Sequence, residues 1–194
     1  MADRDTRDRI LEAAAELYRR QGMSATGIKQ ISSAAAAPFG SIYHHFPGGK
    51  EEITAEVIRS EGVRYGQFVA AQLEHTDPAN GIPALFKNAG SLMESQDYSE
   101  ACSIETIALE VASTNERLRQ ESADVFDSWL TALERWFGQL DITKKQRRQL
   151  AVVTLTALEG AFVLCRTLRS TEPILIAGRG VQAAVTAALT GGKL

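Results

Sequence analysis

Apolar residues recur every three to four positions along most of this chain, and no segment shows the alternating pattern of a β-strand. The breaks between periodic segments are short and rich in Gly, Pro, Asn, Asp and Ser. The pattern therefore predicts an all-α protein. With 194 residues, of which 44% are hydrophobic, the chain is long enough for one domain or two small ones.

The first fifty residues predict a helix-turn-helix. A helix is expected over residues 6–20, with Gly22 as its C-terminal cap. Thr26 is expected to cap a short second helix, and Pro38 suits the first position of a third. Only a tight turn fits between these two short helices. Such a pair, behind a longer supporting helix, can place its second member in a DNA major groove.

The third helix is predicted to have one buried and one polar face. At 100° per residue, Phe39 and Phe46 fall within about 60° of Ile42, which predicts an inward apolar stripe. The opposite face carries small and hydrogen-bonding residues, with a glycine that lets a backbone approach: Gly40, Ser41, Tyr43 and His44, with His45 at its edge. No carboxylate on this face would repel a phosphate.

The charge is distributed unevenly along the chain. Residues 1–50 carry seven basic and five acidic side chains, a net charge of +2, which leaves −5 for the rest. This distribution is therefore compatible with a small polyanion-binding head, residues 1–50, followed by an acidic body.

Lys50 is the first residue of a predicted fourth helix. A cation is unfavourable at this helix end unless a phosphate binds there. A solvated lysine is the alternative.

The remainder predicts a helical bundle, with helices over residues 50–73, 83–95, 103–112, 116–140, 144–168 and 171–189. One long helix carries an aromatic stripe that fits either a core or a ligand cage: Phe126, Trp129, Leu133, Trp136 and Phe137. The run Ala151 to Leu168 is apolar nearly all round, and small residues such as Gly160 and Gly180 permit close helix crossings. This favours a homodimer seam, with core packing inside one chain as the alternative.

Several function classes are not indicated. No catalytic or nucleotide-binding motif occurs, and the adjacent His44 and His45 diverge by about 100°, which does not suit a metal site. Cys102 and Cys165 are far apart and predict packed thiols rather than zinc ligands or a disulfide. We therefore expect no enzyme activity, metal or cofactor. The charged start and the expected lack of a run of about 18 apolar residues predict a cytoplasmic protein without membrane contact.

The stretch from Arg7 to Ile53 resembles the DNA-binding domain of TetR-family transcriptional repressors. The family pattern of Thr-x-x-x-Ile, Gly-x-Ile/Leu-Tyr-x-His-Phe and Lys-Glu-x-Leu is matched here by Ile28-Lys29-Gln30-Ile31, Gly40-Ser41-Ile42-Tyr43-His44-His45-Phe46 and Lys50-Glu51-Glu52-Ile53. The segment Phe-Pro-Gly-Gly-Lys is similar to the LmrA/YxaF-like branch. The resemblance implies a helix-turn-helix DNA-binding domain over residues 1–49 and an effector-binding and dimerisation bundle over residues 50–194.

The resemblance also implies roles for particular residues. Backbone contacts to double-stranded DNA are implied for Tyr43, His45, Lys50 and Lys29, and base-edge positions for Phe39, Ser41 and His44. Thr26 stands one place before the threonine that the family uses near the second helix, where this chain has Gly27, and we count it among the DNA-binding residues. The usual Gly-Val turn is Ala36-Ala37 here, so either a left-handed alanine costs about 1 kcal/mol or the turn has another geometry.

For the body, the resemblance implies a cavity for a small, largely apolar effector, lined by Cys102, Phe126, Trp129, Leu133, Phe162 and Cys165. Glu159 could answer a cationic effector or form an ion pair across the dimer seam, and we prefer the structural role. The function expected is a ligand-responsive repressor that binds a palindromic operator as a homodimer. The alternative is a helical dimer that binds a protein partner instead of DNA.

Overall fold

The computed structural model describes residues 2–100 and 102–191, which form α-helices joined by turns and loops, with no strand among them. The helices are α1 (Ala2–Gln21), α2 (Ile28–Ala34), α3 (Phe39–His45), α4 (Gly49–Glu74), α5 (Ile82–Ser95), α6 (Ser103–Val111), α7 (Glu116–Phe137), α8 (Lys144–Leu168) and α9 (Glu172–Leu189). The all-α prediction is confirmed. α7 ends three residues before the expected Leu140, because residues 138–140 form tight turns onto the preceding carbonyls.

The chain divides into two compact units. The first consists of Met1–Arg64 with Cys102–Val125, and the second of Tyr65–Ala101 with Phe126–Leu194. The division passes through the middle of α4 and α7, so each of these two helices contributes residues to both units. The assignment of functions to residues 1–49 and 50–194 remains a prediction.

In the first unit, α1 is fixed by one buried face. Ile10, Ala14 and Tyr18 follow one another at four-residue spacing and are fully buried. Thr54 donates its hydroxyl hydrogen to the Lys50 carbonyl at 2.7 Å, so the Tyr18 hydroxyl donates to Thr54 Oγ1 at 3.0 Å. Burial raises the pKa of Tyr18 to about 12, which keeps the phenol a neutral donor. The hydrogen bond ties α1 to the first turns of α4.

α6 supports the loop between α1 and α2. Glu110, near the end of α6, accepts a hydrogen bond from the Ser24 backbone N–H through Oε2 at 2.6 Å. A Cβ atom at Gly22, which has a left-handed φ of 84°, would clash with Glu110 Oε1. Gly22 ends α1 as predicted, with its N–H bonded to the Tyr18 carbonyl. A carboxylate from a distant part of the sequence therefore holds the loop that leads into α2.

In the second unit, α9 packs on both α5 and α8. A Cβ atom at Gly178 of α9 would lie 2.7 Å from Phe86 Cβ, and one at Gly90 of α5 would lie 2.8 Å from Ile174 Cγ2. Glycine is therefore required on both helices for this close crossing. Most of the stripe on α7 is buried, including Trp129, Leu133, Trp136 and Phe137, and the Trp136 indole donates to the Thr76 carbonyl at 3.1 Å. The role of the stripe as core or as ligand cage remains a prediction.

α8 buries only one side within the chain. Its buried residues are Leu150, Ala151, Thr154, Ala161, Phe162 and Cys165. Its other side, with neighbouring positions on α9, exposes large apolar residues: Val152, Val153, Val163, Leu164, Leu168, Leu175, Ile176 and Leu189. We expected no run long enough to cross a membrane, but by length and composition α8 is such a helix, a test that core helices of soluble proteins also pass. Burial on one side only does not fit the alternative of core packing inside one chain, and the homodimer seam remains a prediction.

Candidate nucleic-acid interface

α2 and α3 are joined by a turn that is hydrogen-bonded to a side chain of α1. The Arg9 guanidinium on α1 donates to the Ala35 carbonyl at 3.1 Å and to the Ala36 carbonyl at 3.5 Å. It also donates to Thr6 Oγ1 at 3.2 Å, which fixes its position along α1. These bonds satisfy carbonyls left unpaired at the end of α2. Arg9 therefore positions the turn, a role that sequence reasoning missed.

The turn itself has the left-handed geometry, the first of the two alternatives. Ala36 has φ 47°. Its N–H bonds to the Ser33 carbonyl at 3.1 Å, and the Ala37 N–H bonds to the Ser32 carbonyl at 3.0 Å. This is a Schellman motif with alanine where glycine is usual. The left-handed alanine costs about 1 to 2 kcal/mol, and the Arg9 and backbone hydrogen bonds offset that cost.

α3 places Ile42 and Phe46 in the core, where both are fully buried. Phe39 is 47% exposed, so its predicted place in the inward stripe is wrong. Phe39 is the first residue of the helix, and its ring packs edge-on against Tyr43 at a centroid distance of 5.6 Å. The two aromatic rings therefore share the outer side of α3.

The outer face of α3 has the predicted polar composition. Tyr43 is 47% exposed, His44 is exposed, and Ser41 and His45 are half-buried. No atom lies within 4 Å of the position a Cβ would take at Gly40, so another molecule can approach the backbone there. The His44 and His45 rings are 5.1 Å apart and nearly perpendicular. Hydroxyl, phenol and imidazole groups are the kinds of donors and acceptors that contact base edges and phosphates.

The start of α4 lies beside this face. Gly49 has a left-handed φ of 62°, and its absent Cβ would lie 3.5 Å from Tyr43 Cε1. The Gly48 N–H donates to Glu52 Oε2 at 2.7 Å. Lys50 is half-buried, and desolvation lowers the pKa of its amine while the Glu110 carboxylate opposes that shift. Lys50 thus lies in the first turn of α4, directly after the glycine that borders the Tyr43 ring.

Lys29 lies on the exposed side of α2. It shares a concave surface with residues of the turn and the start of α3: Ser32, Ser33, Ala36, Ala37, Pro38 and Phe39. Ser32 donates its hydroxyl hydrogen to the Ala37 carbonyl at 2.7 Å, so that hydroxyl is engaged in the turn. Ser33 is exposed and adds a hydroxyl group to this surface, which sequence reasoning missed. Its spacing of four residues from Lys29 could have indicated a shared helix face.

Thr26 corrects another expectation. Its side chain is fully buried, its hydroxyl donates to the Gly22 carbonyl at 2.7 Å, and its backbone N–H bonds to the Met23 carbonyl. Gly27, not Thr26, is the N-cap of α2, and the Gln30 side chain accepts from the Gly27 N–H. Thr26 therefore stabilises the loop before α2 and does not present its hydroxyl to a phosphate.

The residues expected to line an effector cavity fall in both units. Cys102, a buried residue, is the N-cap of α6 in the first unit. The others lie in the second unit, where Trp129, Leu133, Phe162 and Cys165 are buried and the Phe126 ring lies 5.6 Å from that of Trp129. Burial raises the pKa of the Cys165 thiol. Both cysteines are free thiols.

Glu159 is half-buried on α8, and its two alternative roles remain predictions. Among the residues that the structure describes, no three or more His, Cys, Asp or Glu side chains are grouped so that they could hold a metal ion.

Two family models match the chain. Residues 10–57 match the model for bacterial regulatory proteins of the tetR family, and residues 78–180 match the C-terminal domain of LmrA/YxaF-like transcriptional regulators. The chain is 31% identical over 172 residues to the HTH-type transcriptional regulator LmrA of Bacillus subtilis, covering 88% of this chain and 92% of that protein. It is 30% identical to YxaF of the same organism, covering 89% and 91%.

The fold is also similar to solved structures. The crystal structure of the regulatory protein TetR from Rhodobacter sphaeroides superposes with a TM-score of 0.81 at 17% identity, covering 91% of this chain and 97% of that one. At this level of identity the likeness concerns the fold alone.

Proposed function

The chain belongs to the TetR family of bacterial regulatory proteins, in the LmrA/YxaF-like branch, and from this we propose that it is a repressor released from a palindromic operator by a small, largely apolar effector. As a member of this family it is a DNA-binding transcriptional regulator and not an enzyme. Residues 1–49 read the DNA in this proposal, and residues 50–194 bind the effector and dimerise. Cytoplasmic localisation belongs to the same proposal.

The observation that carries DNA binding is the outer face of α3. Two buried anchors, Ile42 and Phe46, fix the helix, so Tyr43, His44 and Gly40 face outward from a rigid support. α3 contains no acidic residue. Lys29 and Lys50 supply positive charge from α2 and α4, as phosphate contacts on either side of a recognition helix require. We assign Ser41 and His44 to base edges, and Tyr43, His45 and both lysines to the DNA backbone.

The homodimer is supported by the outer sides of α8 and α9. Eight exposed Val, Leu and Ile residues on these two packed helices are unfavourable in water, and a partner surface would cover them. Gly160 and Gly180 leave open space where a partner helix could approach, because no atom lies within 4 Å of either Cβ position. A second copy of the chain, related by a two-fold axis, would bury the same face on both protomers and present two heads to two half-sites.

For the effector, the supporting observation is a cluster of apolar and aromatic side chains in the second unit that includes Phe126, Trp129 and Leu133. Phe162 and Cys165 approach the core from α8. Side chains of this kind bind a largely apolar molecule through surface burial. Release requires that the effector favour a dimer state in which the two recognition helices no longer match the half-sites. A coupling free energy of about 1 to 3 kcal/mol is sufficient.

The experiment that tests the proposal is selection of bound duplexes from a random-sequence pool, followed by affinity measurements at several salt concentrations. We expect a palindromic sequence. Lys29 and Lys50 of two heads neutralise four phosphates in this proposal, so log K should fall with log salt with a slope of about −3.6. A protein-binding dimer, the alternative that the small charge of the head leaves open, would enrich no duplex.

A further inference from the structure

We propose that Phe39 determines operator specificity by contacting the C5-methyl group of thymine. The proposal deepens the proposed function and rests on it, because it requires α3 to enter the major groove. Three observations support the proposal: the Phe39 ring is exposed, it packs against Tyr43, and a phenyl group can contact only apolar groups of a base.

The Phe39 ring is exposed and does not contribute to the core. The Phe39 side chain is 47% exposed, whereas Ile42 of the same helix and the C-cap residue Phe46 are fully buried. A large apolar side chain left in water is unfavourable in proportion to its area. The core does not need this ring, so its exposed part is available for contact with another molecule.

The ring is also held in place before any ligand arrives. It packs edge-on against Tyr43, with centroids 5.6 Å apart and planes inclined at 67°. The next residue, Gly40, leaves its surroundings open, so a base edge can approach the ring from that side. A restrained ring loses little side-chain entropy on contact.

A phenyl group has no hydrogen-bond donor or acceptor, so Phe39 cannot read the polar pattern of a base pair. Of the groups that the four base pairs present in the major groove, the apolar one is the thymine methyl group. Lys29 and Ser33 border the same concave surface as Phe39 and carry an ammonium and a hydroxyl group suited to a phosphate. If Lys29 and Ser33 contact a phosphate of the DNA backbone, the Phe39 ring lies next to the edges of the neighbouring bases.

The test uses the full-length protein and the duplex recovered by selection. Each symmetric pair of thymines in the palindrome is replaced in turn by uracil, which lacks only the methyl group, and the Kd is measured. At one pair of positions we expect the wild type to lose about fourfold in affinity per half-site, or about 15-fold for the pair, as for one buried methyl-sized group each.

The variants identify the residue that reads the methyl group. Phe39→Ala should bind the thymine duplex more weakly and should not distinguish it from the uracil duplex. Phe39→Leu keeps an apolar side chain and should retain part of the discrimination. Lys29→Ala is the matched control, which should weaken binding to both duplexes while leaving their affinity ratio unchanged. Because Phe39 is exposed, circular dichroism should show native helix content in both Phe39 variants.

A further arm separates the methyl group from the base pair. Cytosine in place of the sensitive thymine should reduce affinity, and 5-methylcytosine should restore part of it, because its methyl group occupies the same C5 position. The inference is overturned if no thymine position responds to uracil, or if Phe39→Ala keeps the wild-type ratio. If selection enriches no duplex at all, the proposed function itself fails and this inference falls with it.

Discussion

Ala36 shows how one residue can carry strain within a DNA-reading unit. It holds φ 47° in the turn between α2 and α3, a conformation in which its Cβ is unfavourable by about 1 to 2 kcal/mol. Glycine removes this strain but loses more backbone entropy on folding, about 0.5 to 1 kcal/mol. We therefore expect Ala36→Gly to raise the free energy of unfolding by about 0.5 to 1 kcal/mol, measured by urea denaturation.

The matched control for this substitution is Ala34→Gly. Ala34 is exposed at the end of α2 and has no left-handed strain to relieve, so glycine should lower the free energy of unfolding there. A stabilised Ala34→Gly, or a destabilised Ala36→Gly, would contradict the account of the turn.

His44 and Lys50 are expected to affect DNA affinity in different ways. His44→Ala should relax sequence preference, because an imidazole at a base edge distinguishes sequences, while Lys50→Ala should weaken binding to all duplexes alike. Lys50→Ala should also make the salt slope about 1.8 less steep, since each dimer loses two phosphate contacts. The measurement is affinity for the selected and a random duplex at several salt concentrations.

The control for Lys50→Ala is Lys87→Ala, which removes an exposed cation from α5 and should leave the salt slope unchanged. Equal losses on the selected and the random duplex for both His44→Ala and Lys50→Ala would contradict the assigned roles.

At this scale, residue type and helical spacing predicted the outer face of α3, but not the environment of its first residue. Phe39 lies only about 60° from Ile42 on a helical wheel, so the wheel assigns both residues to one face. A wheel does not show how far the neighbouring helices cover that face. The predicted role of Thr26 as a helix cap was wrong for a related reason, since tertiary contacts decide between two local hydrogen bonds. Its hydroxyl can cap a helix or bond a carbonyl four residues back, and the tertiary contacts of the loop select the second.

At the scale of elements, α6 is expected to stabilise the loop between α1 and α2 through a single carboxylate. Glu110→Ala removes the acceptor of the Ser24 N–H, which lies 2.6 Å from Glu110 Oε2. Because the bond is exposed, we expect a loss of only about 1 kcal/mol in the free energy of unfolding. We also expect faster hydrogen exchange at the Ser24 amide, which reports on the loop directly.

Glu94→Ala, which removes an exposed carboxylate from α5, is the control and should leave exchange at Ser24 unchanged. An unchanged Ser24 exchange rate in Glu110→Ala would show that the carboxylate does not hold the loop.

Helix positions were predictable because their signals are local. The predicted span of α8 agrees with the structure, and its start carries a capping box in which Thr143 and Gln146 bond each other's backbone N–H groups. The supports of the helix-turn-helix were not predictable. Arg9 reaches the turn from 26 residues away, and Glu110 reaches Ser24 from 86 residues away, and neither contact leaves a periodic signal in the sequence.

At the scale of the whole molecule, the dimer proposal makes the exposed side of α8 essential. Leu164 is 53% exposed there, so Leu164→Glu should fold normally as a monomer. In the dimer it would place a carboxylate in an apolar seam on both protomers, and we expect the dimer Kd to rise by at least about 100-fold. Sedimentation velocity measures the dimer, and operator affinity should fall in parallel because one head reads only one half-site.

Leu109→Glu offers the comparison, since Leu109 is 77% exposed on α6 and lies outside the proposed seam. It should leave both the oligomeric state and the operator affinity unchanged. If the Leu164→Glu variant is still a dimer, α8 is not part of the interface.

The sequence could indicate a dimer seam, because residues 151–168 of α8 are apolar nearly all round. Only the structure distinguishes the side of α8 that the chain buries from the side that it leaves exposed.

The two-part composition of the first unit has a consequence for synthesis on the ribosome. The nascent chain leaves this unit at Arg64 and supplies its last helices only with Cys102–Val125. The hydrogen bond from Glu110 to the loop before α2 therefore cannot form until more than half of the polypeptide has been made. A prematurely terminated product containing only the N-terminal helices would lack that support, and under the proposed function it should bind DNA less tightly than the full chain.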